Sequence, residues 1–196
     1  MKQYADAEQC FTEALAMYRK ISQGTTSVNI AATLAKQGIN YKNMKQHNKA
    51  ERCYTEALVV FREIAKGAAS EEIAQTLLSQ GTNYNAMKQY KQADQCYTDA
   101  LATYKRISEG ATTVAVAEIL STQGDNYHDM KQYIDANQCY TEALAIYRNS
   151  SQGPARLDIP AILNNQGTNF GQMKQYSYIG IYRDISRGVA SQNVAH

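Results

Sequence analysis

The chain has 196 residues, 44% hydrophobic and 19% charged, with two prolines and no tryptophan, an apolar content that fills a core and excludes wholesale disorder. Twenty Lys and Arg against 18 Asp and Glu give a formal charge of +2, too even for a nucleic-acid or anionic-membrane binder. No apolar run approaches the roughly eighteen residues of a membrane-spanning helix. The amino-terminal segment Met1 to Glu8 lacks the apolar stretch of a secretory signal, so the expected location is cytoplasmic.

Met1, Met44, Met87, Met130 and Met173 stand 43 residues apart, and glycine keeps the same beat at Gly24, Gly67, Gly110 and Gly153 and at Gly38, Gly81, Gly124 and Gly167. The period divides the chain into a lone second helix at 1–26, three full units at 27–69, 70–112 and 113–155, and a truncated unit at 156–196. The full units read as helix pairs. In the second, Ala74, Leu77, Gly81 and Tyr84 recur at helical spacing. A longer helix from Tyr90 to Ile107 then carries Ala93, Cys96, Tyr97, Ala100, Leu101 and Tyr104 on one stripe. Ser70 and Thr113 stand where N-caps belong, and Gly67 and Gly110 where a left-handed residue ends the longer helix. Connections of about three to five residues make neighbouring helices antiparallel. Nothing alternates with period two, so an all-α solenoid without a sheet is expected. In the last unit Met173 reaches Tyr182 in nine residues, where Met130 takes seventeen to reach Tyr147, and the small-large stripe of the second helix is lost.

The string Leu77-x2-Gln80-Gly81-x2-Tyr84, followed by Ala93-x3-Tyr97 and Ala100-Leu101, resembles the tetratricopeptide repeat pattern. Further copies run through Leu34, Gly38, Tyr41, Ala50, Tyr54 and Ala57, through Leu120, Gly124, Tyr127, Ala136, Tyr140 and Ala143, and through Leu163, Gly167 and Phe170. The stretched period and Leu163-Asn164-Asn165 are similar to the long-period, kinesin-light-chain-like subclass. Two columns depart from the family: glutamine (Gln37, Gln80, Gln123, Gln166) where leucine is usual, and lysine (Lys45, Lys88, Lys131, Lys174) where a turn glycine is usual. The resemblance implies a right-handed superhelical solenoid whose first helices line a concave groove for peptides or partner domains.

Projecting the first-helix face opposite the Leu-Gly-Tyr stripe gives the candidate groove. Unit one contributes Lys36, Ile39, Lys42 and Asn43 beside Ala32 and Ala35. Unit two contributes Gln75, Leu78, Ser79, Thr82 and Asn85. Unit three contributes Glu118, Ser121, Thr122, Asp125, His128 and Asp129, and the last unit Asn164, Asn165 and Thr168. The groove is thus expected to run from basic at unit one to acidic at unit three. The acidic third unit excludes the carboxylate clamp of chaperone-binding relatives.

Other columns read as structure. Cys10, Cys53, Cys96 and Cys139 share one column on helices about 9 Å or more apart, too far for a disulfide and without the close spacing of a metal site, so reduced, packed thiols are expected. The amide pairs Gln37/Asn40, Gln80/Asn83, Gln123/Asn126 and Gln166/Asn169 are expected between units, satisfying each other and neighbouring backbone. Most of the fifteen tyrosines fall in core columns rather than on a nucleic-acid platform. Asp125, His128 and Asp129 share a helix face with Glu118 but supply fewer ligands than a divalent cation takes, so no metal and no other cofactor is expected. No nucleophile elbow or phosphate loop is present, which points away from an enzyme. A non-catalytic protein–protein interaction scaffold follows, with neither nucleic acid nor membrane as partner. The alternative is a self-assembling module joined through its terminal repeats, where Ala7, Cys10, Phe11, Ala14 and Leu15 of the lone first helix lack the cover of interior units.

Overall fold

Each Met-Lys-Gln string ends a helix for a local reason. In the computed structural model, which describes residues 2–109, 113–150 and 158–174, helix α2 (Val28–Asn43) stops at Met44 and Lys45 turns to φ +59°. The Lys45 N–H bonds to Lys42 O at 2.9 Å and the Gln46 N–H to Tyr41 O at 2.8 Å, the paired bonds that close a helix through a left-handed residue. The pair recurs at Lys88 and Lys131, with φ +60° and +62°. Lysine therefore occupies the turn-glycine position at a strain of about 1–2 kcal/mol per turn, which the two backbone bonds and the packing beyond offset.

The other elements are α1 (Lys2–Ser22), α3 (His47–Ala65), α4 (Glu71–Ala86), α5 (Tyr90–Ile107), α6 (Val114–Asp129), α7 (Tyr133–Asn149) and α8 (158–174), with no strand among the described residues. Ser70 Oγ accepts from Ile73 N and Thr113 Oγ1 from Val116 N, as N-caps should. Gly67 follows α3 at φ +89°, as anticipated; Gly110 and Gly153 lie outside the described residues. Six residues separate Ile107 from Val114, one more than the sequence led us to expect.

Within each unit the two helices meet at glycine. A Cβ at Gly38, Gly81 or Gly124 would lie 2.7, 2.6 or 2.7 Å from a ring carbon of Tyr54, Tyr97 or Tyr140 respectively. The alanines of the long helices, Ala50, Ala57, Ala93, Ala100, Ala136 and Ala143, are all 0% exposed and let the next helix approach closely. Leu34, Leu77 and Leu120 fill the space between them, so one apolar core runs continuously from Leu15 in α1 to Ile162 in α8. Burying each such side chain contributes about 1.5–3 kcal/mol.

Adjacent units are fastened by polar groups. The Gln80 amide donates to Glu51 Oε1 at 2.9 Å, and Asn83, 0% exposed, donates to the His47 carbonyl at 3.1 Å. Gln123 to Asp94, Asn126 to Tyr90 O, Gln166 to Asn137 and Asn169 to Tyr133 O repeat the arrangement. The amides thus lie between units as expected, but they bond to the preceding long helix rather than to one another. That helix presents the acceptors, while the two amides of a pair are held side by side facing it.

The orphan helix departs from two expectations. Cys53, Cys96 and Cys139 are buried and unpaired, but Cys10 is exposed, because among the described residues no first helix packs over α1 as α2 packs over α3. Leu15, expected without cover, is 6% exposed, since α2 packs against that side of α1 and joins it to the core.

Candidate functional site

The candidate residues sit on four helices that follow one another in parallel, α2, α4, α6 and α8. Side-chain bonds cross each boundary between them. Lys42 Nζ donates to Thr82 Oγ1 at 3.0 Å, joining α2 to α4. Asn85 Nδ2 reaches Asn126 Oδ1 at 3.1 Å and Asp129 Oδ2 at 3.2 Å, joining α4 to α6. Asn165 Nδ2 donates to Asp125 Oδ1 at 2.9 Å, and His128 Nδ1 meets Asn169 Oδ1 at 3.1 Å, joining α6 to α8. The Asn169 amide nitrogen already donates to Tyr133 O, so its oxygen is the acceptor and the histidine carries its proton on Nδ1.

Other candidates are satisfied on their own helix. Gln75 donates to Glu71, Thr82 to Ser79 O, Ser121 and Thr122 to Glu118 O, and Thr168 to Asn164 O. Lys36, Ile39 and Asn43 are exposed, whereas Leu78 packs half-buried against the core.

The two ends of the face differ in charge. Burial pushes the Lys42 ammonium below its ordinary value. At unit three, desolvation pushes Glu118 up, with the Asp158 charge adding to it. Desolvation also raises Asp125; hydrogen bonds from Tyr140 and Asn165 and the nearby His128 work against the rise, and Asp129 adds to it. The ion pairs among the described residues are Arg19 with Glu56 and Lys49 with Glu8, so none of Glu118, Asp125 and Asp129 has a Lys or Arg of the described residues within 4.0 Å. No group of three His, Cys, Asp or Glu side chains among the described residues is placed to hold a metal ion.

Two features escaped the sequence reading. The first is a carboxylate column between units, Glu8, Glu51, Asp94 and Asn137. Tyr41 and Tyr84 donate to Glu8 and Glu51 at 2.7 and 2.6 Å, and Tyr127 bonds to Asp94. Where the hydroxyl is lost, at Phe170, the acceptor is the neutral Asn137. The 43-residue spacing already carried this covariation. The second is the bond by which the Tyr140 hydroxyl donates to Asp125 at 2.7 Å, since the sequence placed Asp125 on the groove face alone. Ile39 and Thr82 hold the equivalent positions, and the buried Tyr54 and Tyr97 hydroxyls have no partner among the described residues.

The tetratricopeptide repeat family matches residues 1–63, 29–106 and 72–149, overlapping spans that cover most of the sequence. The chain belongs to that family, whose members are generally non-catalytic interaction scaffolds. Among solved structures it is similar to BtubC (BKLC) from P. vanneervenii, with TM-score 0.77 and 19% identity over 99% of this chain and 76% of that one. A Podosopora anserina protein of nearly identical TPR-like repeats matches with TM-score 0.71 and 12% identity over 100% of this chain and 90% of that one. The apo form of RapI matches with TM-score 0.71 and 20% identity over 97% of this chain and half, 50%, of that one. These likenesses establish the helix-pair fold. No curated protein matches the sequence, and among the described residues no helix is long and apolar enough to cross a membrane.

Proposed function

We propose that the chain is an interaction scaffold whose first-helix face binds an extended or helical segment of a protein partner. The supporting observation is the acidic end of that face: Glu118, Asp125 and Asp129 are partly desolvated or exposed, with no cation of the described chain to neutralise them. Basic side chains of a partner fit there. Acidic side chains fit Lys36, and Leu78, Ser79 and Thr82 supply apolar and hydroxyl contacts between the two ends. Such a charge gradient orients the bound segment and speeds encounter more than it adds affinity.

Selection from a random peptide library tests this reading. The expected winners carry Lys or Arg toward one end, and their binding falls about tenfold or more, roughly 1.4 kcal/mol, in the double variant Glu118→Lys with Asp129→Lys. Asp125 is left alone because it holds Tyr140 and Asn165. Winners without basic residues, or binding that survives the reversal at low ionic strength where screening is least, would overturn it.

A further inference from the structure

Helix α4 packs against both α3 and α5. Between those two long helices, in the middle of the stack, lies a cleft of about 530 Å³. Apolar side chains line it: Ile73 and Leu77, on the side of α4 opposite the candidate groove, with Ala65, Ala68 and Ala102. Arg62 of α3 and Asp99 and Arg106 of α5 complete the lining. Arg106 Nη2 donates to Gly67 O at 2.9 Å, which ties the guanidinium to the α3–α4 connection and leaves the rest of its N–H donors unused among the described residues.

Sequence makes this cleft unlike its neighbours. One period earlier, between α1 and α3, the positions of Arg62, Asp99 and Arg106 hold Arg19, Glu56 and Glu63; one period later they hold Lys105, Glu142 and Asn149. In the earlier cleft Arg19 Nη2 meets Glu56 Oε1 at 2.7 Å. Arg62 has no such partner among the described residues, because Asp99 is one methylene shorter than glutamate and already accepts from Gln95 Nε2 at 2.9 Å. The Arg62 charge still bears on α5, where it works against the rise that burial and the Glu51 and Asp99 charges impose on the Cys96 thiol. Two guanidiniums therefore stand against one carboxylate, where the earlier cleft sets one cation against two carboxylates and the later one against one.

We infer that this cleft binds an acidic segment of a partner protein, with a Glu or Asp carboxylate held between Arg62 and Arg106 and an apolar neighbour against the alanine-lined wall. A guanidinium gives a carboxylate two parallel N–H bonds, and Arg62 has its whole fork free among the described residues to make them. The apolar lining adds contact that a small anion cannot use, so the ligand is a peptide segment with apolar side chains beside its acid. The cleft lies on the long helices, apart from the first-helix face, and either site can fail without the other.

Titration of the full chain with the capped peptide acetyl-Leu-Glu-Glu-Leu-amide at low ionic strength, followed by nitrogen–proton NMR, tests the site. The Arg62 and Arg106 Nε–H signals and the Gly67, Ala68 and Ala69 amides should shift to saturation. The glutamine analogue, acetyl-Leu-Gln-Gln-Leu-amide, should bind about tenfold more weakly or worse, and Arg62→Gln should weaken the acidic peptide by a similar factor. Asp99→Asn removes the like charge from the cleft and should tighten the acidic peptide about threefold. Opposite effects from these two variants cannot come from a shared loss of fold. Binding that survives Arg62→Gln, an Asp99→Asn variant no tighter than wild type, or shifts confined to Lys36 and Ile39 would overturn the inference, as would signals that the peptide leaves unmoved. So would inorganic phosphate, titrated in parallel, saturating the same signals as tightly as the peptide, since the cleft would then be a site for a small anion.

Discussion

Replacing Gly81 by alanine adds one carbon at the tightest of the described glycine sites. That carbon would lie 2.6 Å from Tyr97 Cε1, 2.9 Å from Cδ1 and 3.1 Å from Cζ. Carbon atoms rest at about 3.5–4.0 Å, so roughly an ångström of relief is needed. Tyr97 is 0% exposed and has no free space to turn into, so α4 and α5 must part. Overpacking of this kind costs about 1–3 kcal/mol, against a helix-propensity gain of up to about 1 kcal/mol for leaving glycine. The net loss expected is about 1–2 kcal/mol, with Gly81→Leu at or beyond the upper end. Gly167→Ala isolates the propensity term, because nothing lies within 4 Å there. Denaturant melts of both variants, run dilute, should move in opposite directions: the Gly81→Ala midpoint falls at nearly unchanged slope, and that of Gly167→Ala holds or rises. Damage at Gly81 should spread to units one and three, since repeat stability is coupled between neighbours. If Gly81→Ala is as stable as wild type, the two helices do not touch at that glycine and the packing account fails.

The tyrosine column should split by its hydroxyls. Tyr97→Phe removes a buried hydroxyl without a partner among the described residues and should raise stability by about 1 kcal/mol, while Tyr140→Phe loses the bond to Asp125 and should lower it by a similar amount; equal effects in thermal melts would refute the distinction. Glu118 supplies a pH test. Its folded-state value is raised above the ordinary 4.5, so the folded protein holds this proton more tightly than the unfolded chain does. Its contribution is therefore lost as pH rises from the ordinary carboxylate range through the raised value. Glu118→Gln should gain stability relative to wild type across that window and match it at lower pH, and a gain that appears only on acidification would reverse the assignment.

Much of the fold is legible in the sequence because helices are local. The stripe from Ala93 to Tyr104 placed a helix over Tyr90 to Ile107, and the structure has α5 at the same bounds. Ser70 and Thr113 announced helix starts because a cap acts over three residues. The 43-residue beat divided the chain into helix pairs, and the family pattern implied their stacking into a solenoid.

Partners distant along the chain are another matter. That Gln80 and Asn83 share a face follows from their spacing, but that they hold Glu51 and the His47 carbonyl, 29 and 36 residues back, follows only from how units stack. Periodicity gave Leu15 and Cys10 the same uncovered helix, yet stacking buries Leu15 and leaves Cys10 in the open. Tyr54, Tyr97 and Tyr140 look alike in sequence, and only the neighbour across the helix pair decides which hydroxyl is satisfied. Helical spacing determines which side chains share a face, because 3.6 residues per turn is a property of the backbone alone. What lies against that face depends on the distance and register between helices, and those are set by the summed packing of the whole stack.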